Sequence, residues 1–175
     1  VGYAGGSTED PTYHHLGDHS ETVQIDYDPT VISYEELLDV FWGNHDPTGR
    51  PWSRQYQAFV FYHSDEQRRL AEETRDRVAE RLRREVRTEV VPFSTFYLAE
   101  AYHQKYRLRQ APGIANEFRA MYPDDEDLVR STAAARVNGY LGSNGSCEQL
   151  EEELSGLGLS ASGRQNLLAR VCGDS

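Results

Sequence analysis

The strongest constraint on the fold is the way the hydrophobic period changes along the chain. Over 22–27, Val23, Ile25 and Tyr27 alternate with Thr22, Gln24 and Asp26, the period-2 pattern of a strand with one buried face. Residues 57–62 and 86–91 are rich in β-branched and aromatic side chains and predict two more strands, the last stopped by Pro92. Between these runs the period becomes 3.6. Ser33 and Glu36 form a capping-box signature ahead of Leu37, Leu38, Phe41 and Trp42, which predicts a helix over 34–42 closed by Gly43. Ser64 and Gln67 open a longer helix to about residue 84. Leu70, Thr74, Val78 and Leu82 line one face of it, and Glu and Arg at four-residue spacing cover the other. Strands interleaved with helices in this order predict an α+β fold, a two-layer sandwich with a mixed or antiparallel sheet.

The rest of the chain reads as helical. The Tyr102/Tyr106 stripe predicts a helix over 97–108, and shorter ones follow over 114–121, 126–137, 149–154 and 164–171. Within 139–175 the run GYLGSNGS reads as a flexible Gly-rich loop leading to C-terminal helices. No repeat or linker divides the sequence, so 1–175 reads as a single domain, long enough to bury roughly 70 % of its unfolded surface. The formal net charge is −11, with acids spread along the chain, which argues against a nucleic-acid partner. No apolar run approaches the roughly 20 residues needed to span a bilayer, so no membrane partner is expected. Two cysteines, Cys147 and Cys172, are too few for a secreted disulfide scaffold and point to a reducing, cytoplasmic setting.

Polar chemistry concentrates in residues 1–22, where Gly5, Gly6, Pro11 and Gly17 predict an ordered loop. It carries Tyr13, His14, His15, Asp18, His19 and Glu21. Imidazoles and carboxylates this close could suit zinc. Adjacent histidines on an extended segment point to opposite faces, however, so no metal is expected, and a metal-dependent enzyme using His14, His15 and His19 is kept only as an alternative. His103 reads as a packing residue and Lys105 and Arg107 as solvated.

The runs VGYAGG, DPTY, GDHSE, YDP, VISYEELLDVFWGNHDPT, RQYQAFVFYHSDEQ, FYLAEAYHQKYRL and STAAARVNGYLG, in that order, resemble the methionine sulfoxide reductase A family over most of the chain. The resemblance implies thiol-dependent reduction of the S-epimer of methionine sulfoxide, in proteins or as the free amino acid. It implies no bound cofactor and an external reductant, thioredoxin-type or a small dithiol. It makes Glu21 the general acid and Tyr13 and Tyr56 the substrate-binding hydroxyls, all aimed at the sulfoxide oxygen. A Glu packed beside aromatic side chains would hold its proton towards neutrality, and that is the environment expected for Glu21. Cys147 and Cys172 are candidate resolving thiols, which capture a sulfenic acid as a disulfide; the alternative is two incidental free thiols.

The departures are informative. Pro51-Trp52-Ser53 stands where the common family form has an Asp, a role that Asp46 or the Trp52 indole could take over, and the loop from Tyr13 to Glu21 is shortened. The family nucleophile sits in a Gly-Cys-Phe-Trp stretch upstream of VGYAGG, and this sequence starts at Val1 without an initiator Met. The expectation is an N-terminally incomplete domain that is inactive alone. The competing class is a non-catalytic module that binds methionine sulfoxide.

Overall fold

In the computed structural model, which describes residues 1–173, five strands and eight helices follow one another. The strands are β1 (Gly2–Ala4), β2 (Ser20–Thr22), β3 (Phe59–Tyr62), β4 (Glu89–Pro92) and β5 (Phe96–Leu98). Helices α1 (Tyr34–Gly43) and α2 (Asp65–Leu82) lie among them, and α3 (Tyr106–Arg109), α4 (Pro112–Met121), α5 (Asp125–Arg130), α6 (Thr132–Tyr140), α7 (Cys147–Glu153) and α8 (Ala161–Cys172) follow. They form two compact units, Val1–Ala99 and Glu100–Ser175. Among the described residues no helix is long and apolar enough to cross a membrane.

The first unit holds both sheets. β1 is the centre of an antiparallel sheet in the order β2-β1-β5, with Tyr3 facing Glu21 on one side and Tyr97 on the other. β3 and β4 form a separate parallel pair. Leu38 and Trp42 of α1 and Ala71 and Val78 of α2 enclose Val60 of β3. The Trp42 indole N–H donates to the buried Thr74 hydroxyl at 3.0 Å, so the polar atom of a 4 % exposed tryptophan is satisfied. The Ser33/Glu36 capping box is present at α1. At α2 the Ser64 hydroxyl caps Gln67 N–H, while the Gln67 side chain accepts from His63 N–H. These features carry the α+β class expected from the sequence.

Three elements before α4 differ from expectation. The strand at 22–27 is only Ser20–Thr22, and Val23 and Ile25 are exposed. Their alternation marks residues fit to pair, and no strand among the described residues lies beside them to do so. β1 escapes a period-2 reading because it is three residues long inside VGYAGG. The helix expected over 97–108 is instead β5, a short 3-10 turn Ala101–His103, and α3. Phe96-Tyr97-Leu98 pairs with β1, and Lys105 takes φ 48°, a left-handed conformation that cannot propagate a helix. Lys105 is also half-buried rather than solvated, and desolvation lowers its pKa.

The second unit is helical around Leu108, Ile114, Phe118, Val137, Leu150 and Leu167. The helix expected over 126–137 is split at Ser131, which ends α5 and caps α6 by accepting from Ala134 N–H at 3.1 Å. Hydrogen bonds from the backbone N–H groups of Gly142, Ser143 and Asn144 to residues 138–140 close the turn after α6. The cysteines are not free thiols. Cys147 and Cys172 are joined as a disulfide with Cα atoms 5.4 Å apart. Leu150 of α7 and Leu167 of α8 are both buried in this core, which brings the start of one helix to the end of the other. With a sequence separation of 25, chain-entropy arguments give the closed loop about 3.5 kcal/mol of stabilisation. Reduction, or Cys172→Ser, should lower the denaturation midpoint of the helical unit accordingly; unchanged midpoints would show that helix packing alone holds this region.

Candidate active site

The elements that carry Glu21 and Tyr56 are tied together by hydrogen bonds from side chains of neighbouring residues. Glu21 sits in β2, and Tyr56 ends a 3-10 turn, Arg54–Tyr56. The Ser20 hydroxyl donates to Arg54 O at 2.7 Å, and Gln55 Nε2 donates to Glu21 Oε1 at 2.7 Å. The strand and the turn are therefore stitched at two adjacent positions. Arg54 adds longer contacts to the carbonyls of Asp18 (3.3 Å) and Gly5 (3.4 Å), with its guanidinium over the Phe59 ring. The aromatic enclosure expected for Glu21 is absent. It is exposed, because β2 is the outer strand of its sheet, and its carboxylate is held by Gln55. Tyr56 is half-exposed and stacks on Trp52, with ring centroids 4.8 Å apart.

The loop carrying Tyr13 is tightly ordered, as its glycines and proline imply. Asp18 accepts from the backbone N–H and hydroxyl groups of both Ser7 and Thr8, at 2.8–3.2 Å. These bonds, led by the one from Ser7 N–H, hold its carboxyl well below the usual carboxylate range. His19 is 1 % exposed. Its Nδ1 accepts from Gly6 N–H, and its Nε2 lies 2.8 Å from Thr8 O, which can only accept, so the ring hydrogen is on Nε2. Gly17 has φ +63°, and a Cβ there would meet Thr8 Oγ1 at 2.0 Å, so only glycine fits. Thr12 and His15 exchange two backbone hydrogen bonds, which places Tyr13 in an exposed tight turn with its ring edge-on to His14.

Both His19 nitrogens and the Asp18 carboxylate are engaged within the loop, and among the described residues no group of three His, Cys, Asp or Glu side chains could hold a metal ion. Asp46, one candidate for the missing Asp role, is likewise occupied, accepting from Thr48 N–H and hydroxyl at 2.9 and 2.8 Å.

Beside Glu21 lies a cavity of about 330 Å³, lined chiefly by Ile25, Tyr34, Leu38, Phe41, Phe59 and Phe61. The Tyr34 hydroxyl is buried without a hydrogen-bond partner among the described residues, and desolvation, with a smaller contribution from Tyr27, raises its pKa to about 12. Sequence reasoning singled out neither Tyr34 nor Gln55. The position of Gln55 next to Tyr56 was its only signal, and Tyr34 read simply as a residue of the α1 start.

The protein is thus a mixed α+β unit with a carboxylate and a tyrosine on adjoining elements, followed by a helical unit with a disulfide. Comparison with known proteins makes this specific. The profile of the family described as "Peptide methionine sulfoxide reductase" matches residues 1–136, and "Selenoprotein methionine sulfoxide reductase A, helical domain" matches 123–166. The chain is 44 % identical over 167 residues to the peptide methionine sulfoxide reductase of Drosophila melanogaster, covering 94 % of this chain and 67 % of the relative. It is 49 % identical over 117 residues to that of Methanothermobacter thermautotrophicus, covering 61 % and 69 %, and 41 % identical over 146 residues to peptide methionine sulfoxide reductase A5 of Arabidopsis thaliana, covering 80 % and 57 %. It therefore spans between about half and two thirds of these relatives. The crystal structure of reduced Mxr1 from Saccharomyces cerevisiae superimposes with a TM-score of 0.58 at 30 % identity, covering 63 % of this chain and 69 % of that one. The chain belongs to the peptide methionine sulfoxide reductase family.

Proposed function

We propose that residues 1–175 form a single methionine sulfoxide reductase A-like domain that serves the reduction of methionine S-sulfoxide, in oxidised proteins and as the free amino acid, in the cytoplasm. The observation that supports this reading is the Gln55–Glu21 hydrogen bond, which ties the strand bearing Glu21 to the turn that ends at Tyr56, the two residues that the sequence resemblance marks as acid and substrate hydroxyl. Glu21 supplies a proton to the sulfoxide oxygen, and the Tyr13 and Tyr56 hydroxyls donate to it, so that charge developing on oxygen meets oriented donors. A cysteine thiolate attacks the sulfoxide sulfur; the protonated oxygen passes to the cysteine sulfur as its bond to the methionine sulfur breaks, methionine leaves as the thioether, and the cysteine becomes a sulfenic acid. One of Cys147 and Cys172 condenses with it to a disulfide, releasing water; the other displaces the nucleophile by exchange and leaves the Cys147–Cys172 disulfide. An external dithiol of the thioredoxin type or a small-molecule equivalent then reduces that pair. No bound cofactor is required.

The test uses the chain with the family's nucleophile segment supplied. Starting from the fully reduced protein, with Cys147 and Cys172 free at the outset, one equivalent of sulfoxide should be reduced without further thiol, and the two cysteines should be recovered as a disulfide by peptide mapping. Cys147→Ser and Cys172→Ser should preserve that first turnover and slow thioredoxin-driven recycling. Recycling at parental rate in both variants would remove the resolving role from this pair.

A further inference from the structure

We propose that Trp52 is a specificity-determining residue of the Glu21–Tyr56 site, its indole forming an aromatic wall for an apolar side chain next to the oxidised methionine, so that the site favours peptides over the free amino acid. This rests on the reading of Tyr56 as a substrate residue.

Trp52 is 83 % exposed, the most exposed large apolar side chain in the first unit, yet its ring is not loose. One face stacks on Tyr56 at 4.8 Å and 25°, and Pro51 restricts the backbone just before it. An indole held rigid by one face with the other open offers contact area at little entropic cost. The ring that holds it belongs to the residue assigned to the sulfoxide oxygen, so the open face continues the site along the substrate chain. Charge favours the same choice. Free methionine sulfoxide carries an ammonium group, and the carboxylates that could receive one are committed, Glu21 to Gln55 and the sulfoxide oxygen and Asp46 to Thr48. A peptide replaces that ammonium with an amide and adds a neighbouring side chain for the indole to cover.

The chain has two tryptophans. Trp42 is 4 % exposed and Trp52 83 %, so emission that acrylamide can quench reports on Trp52. Residues 1–175 are titrated with a short peptide bearing methionine S-sulfoxide next to leucine, and separately with free methionine S-sulfoxide. The peptide should give a saturable blue shift and protect the emission from acrylamide. By calorimetry, Trp52→Ala should weaken the peptide about tenfold and the free amino acid by at most about twofold, with Trp52→Phe restoring most of the peptide affinity. If peptide binds and Trp52→Ala weakens both ligands equally or neither, the proposal fails while the reductase reading stands. If neither ligand binds the parent, the proposal fails, and the reductase reading is judged by the turnover of the chain carrying the nucleophile segment.

Discussion

Residues 1–175 incubated with dithiothreitol and a methionine sulfoxide peptide should reduce none of it above the thiol-only control, whereas the same chain with a Gly-Cys-Phe-Trp segment placed ahead of Val1 should turn it over. The reaction needs a thiolate positioned at the sulfoxide sulfur. The two cysteines of this chain lie on α7 and α8 of the helical unit and are joined to each other; neither belongs to the elements that carry Tyr13, Glu21 and Tyr56. Once reduced they are thiols outside the substrate motifs, little better than thiol in solution. A positioned thiol gains from effective molarities that reach about 10⁵–10⁸ M in well-oriented reactions, so the contrast should be the largest of any change to this protein. The cavity beside Glu21 supports the same experiment, since its Phe41, Phe59 and Phe61 walls suit an apolar segment and its Tyr34 hydroxyl lacks a partner among the described residues. The extended chain should therefore also unfold at higher denaturant. Turnover by residues 1–175 comparable to the extended chain overturns the assignment of an upstream nucleophile, and equal midpoints overturn the packing of that segment on this unit.

What the sequence shows of the fold follows from how local each determinant is. The α1 capping box needs only Ser33 and Glu36, and it is present as read. The α1 face of Leu38 and Trp42 is equally local, because 3.6-residue periodicity identifies the buried stripe whatever packs on it. Strands are less legible because pairing is not local. Val23, Ile25 and Tyr27 have the correct alternation, yet a strand needs a neighbour, and the described sheets provide none there. β1 is the reverse case, three residues in a glycine-rich run that become a strand because β2 and β5 flank them. The same limit applies to the site. Resemblance marked Glu21 and Tyr56, but Gln55 gains its role only when β2 and the 3-10 turn meet, a juxtaposition across 34 residues. The pairing of Cys147 with Cys172 depends on how α7 and α8 share a core, which spacing alone does not reveal.

Substitution of Glu21 tests the acid itself, in the chain carrying the nucleophile segment. Glu21→Gln keeps a hydrogen-bond donor of similar shape but cannot transfer a proton, whereas Glu21→Ala removes both. General acid catalysis contributes about 10²–10⁴-fold and a single oxyanion donor about 10²–10³-fold. The Ala variant should therefore lose more rate than the Gln variant, and both should lose at least about a hundredfold if proton transfer limits the step. Folding should be intact in each, because Glu21 is exposed on an outer strand and its one described side-chain partner is the Gln55 amide. That amide can turn its oxygen towards the amide N–H that Glu21→Gln introduces, so this variant keeps the stitch between β2 and the turn, while the Ala variant loses it. The rates should be read in a single turnover, by loss of the nucleophile thiol, so that exchange at Cys147 and Cys172 does not limit the signal. Gln55→Leu separates position from chemistry: it leaves the carboxyl in place without its tether, and should raise KM or lower the rate by less than Glu21→Ala. If the Ala and Gln variants both keep the parental rate, Glu21 is a surface residue of an outer strand, and the proton must reach the sulfoxide from one of the tyrosines.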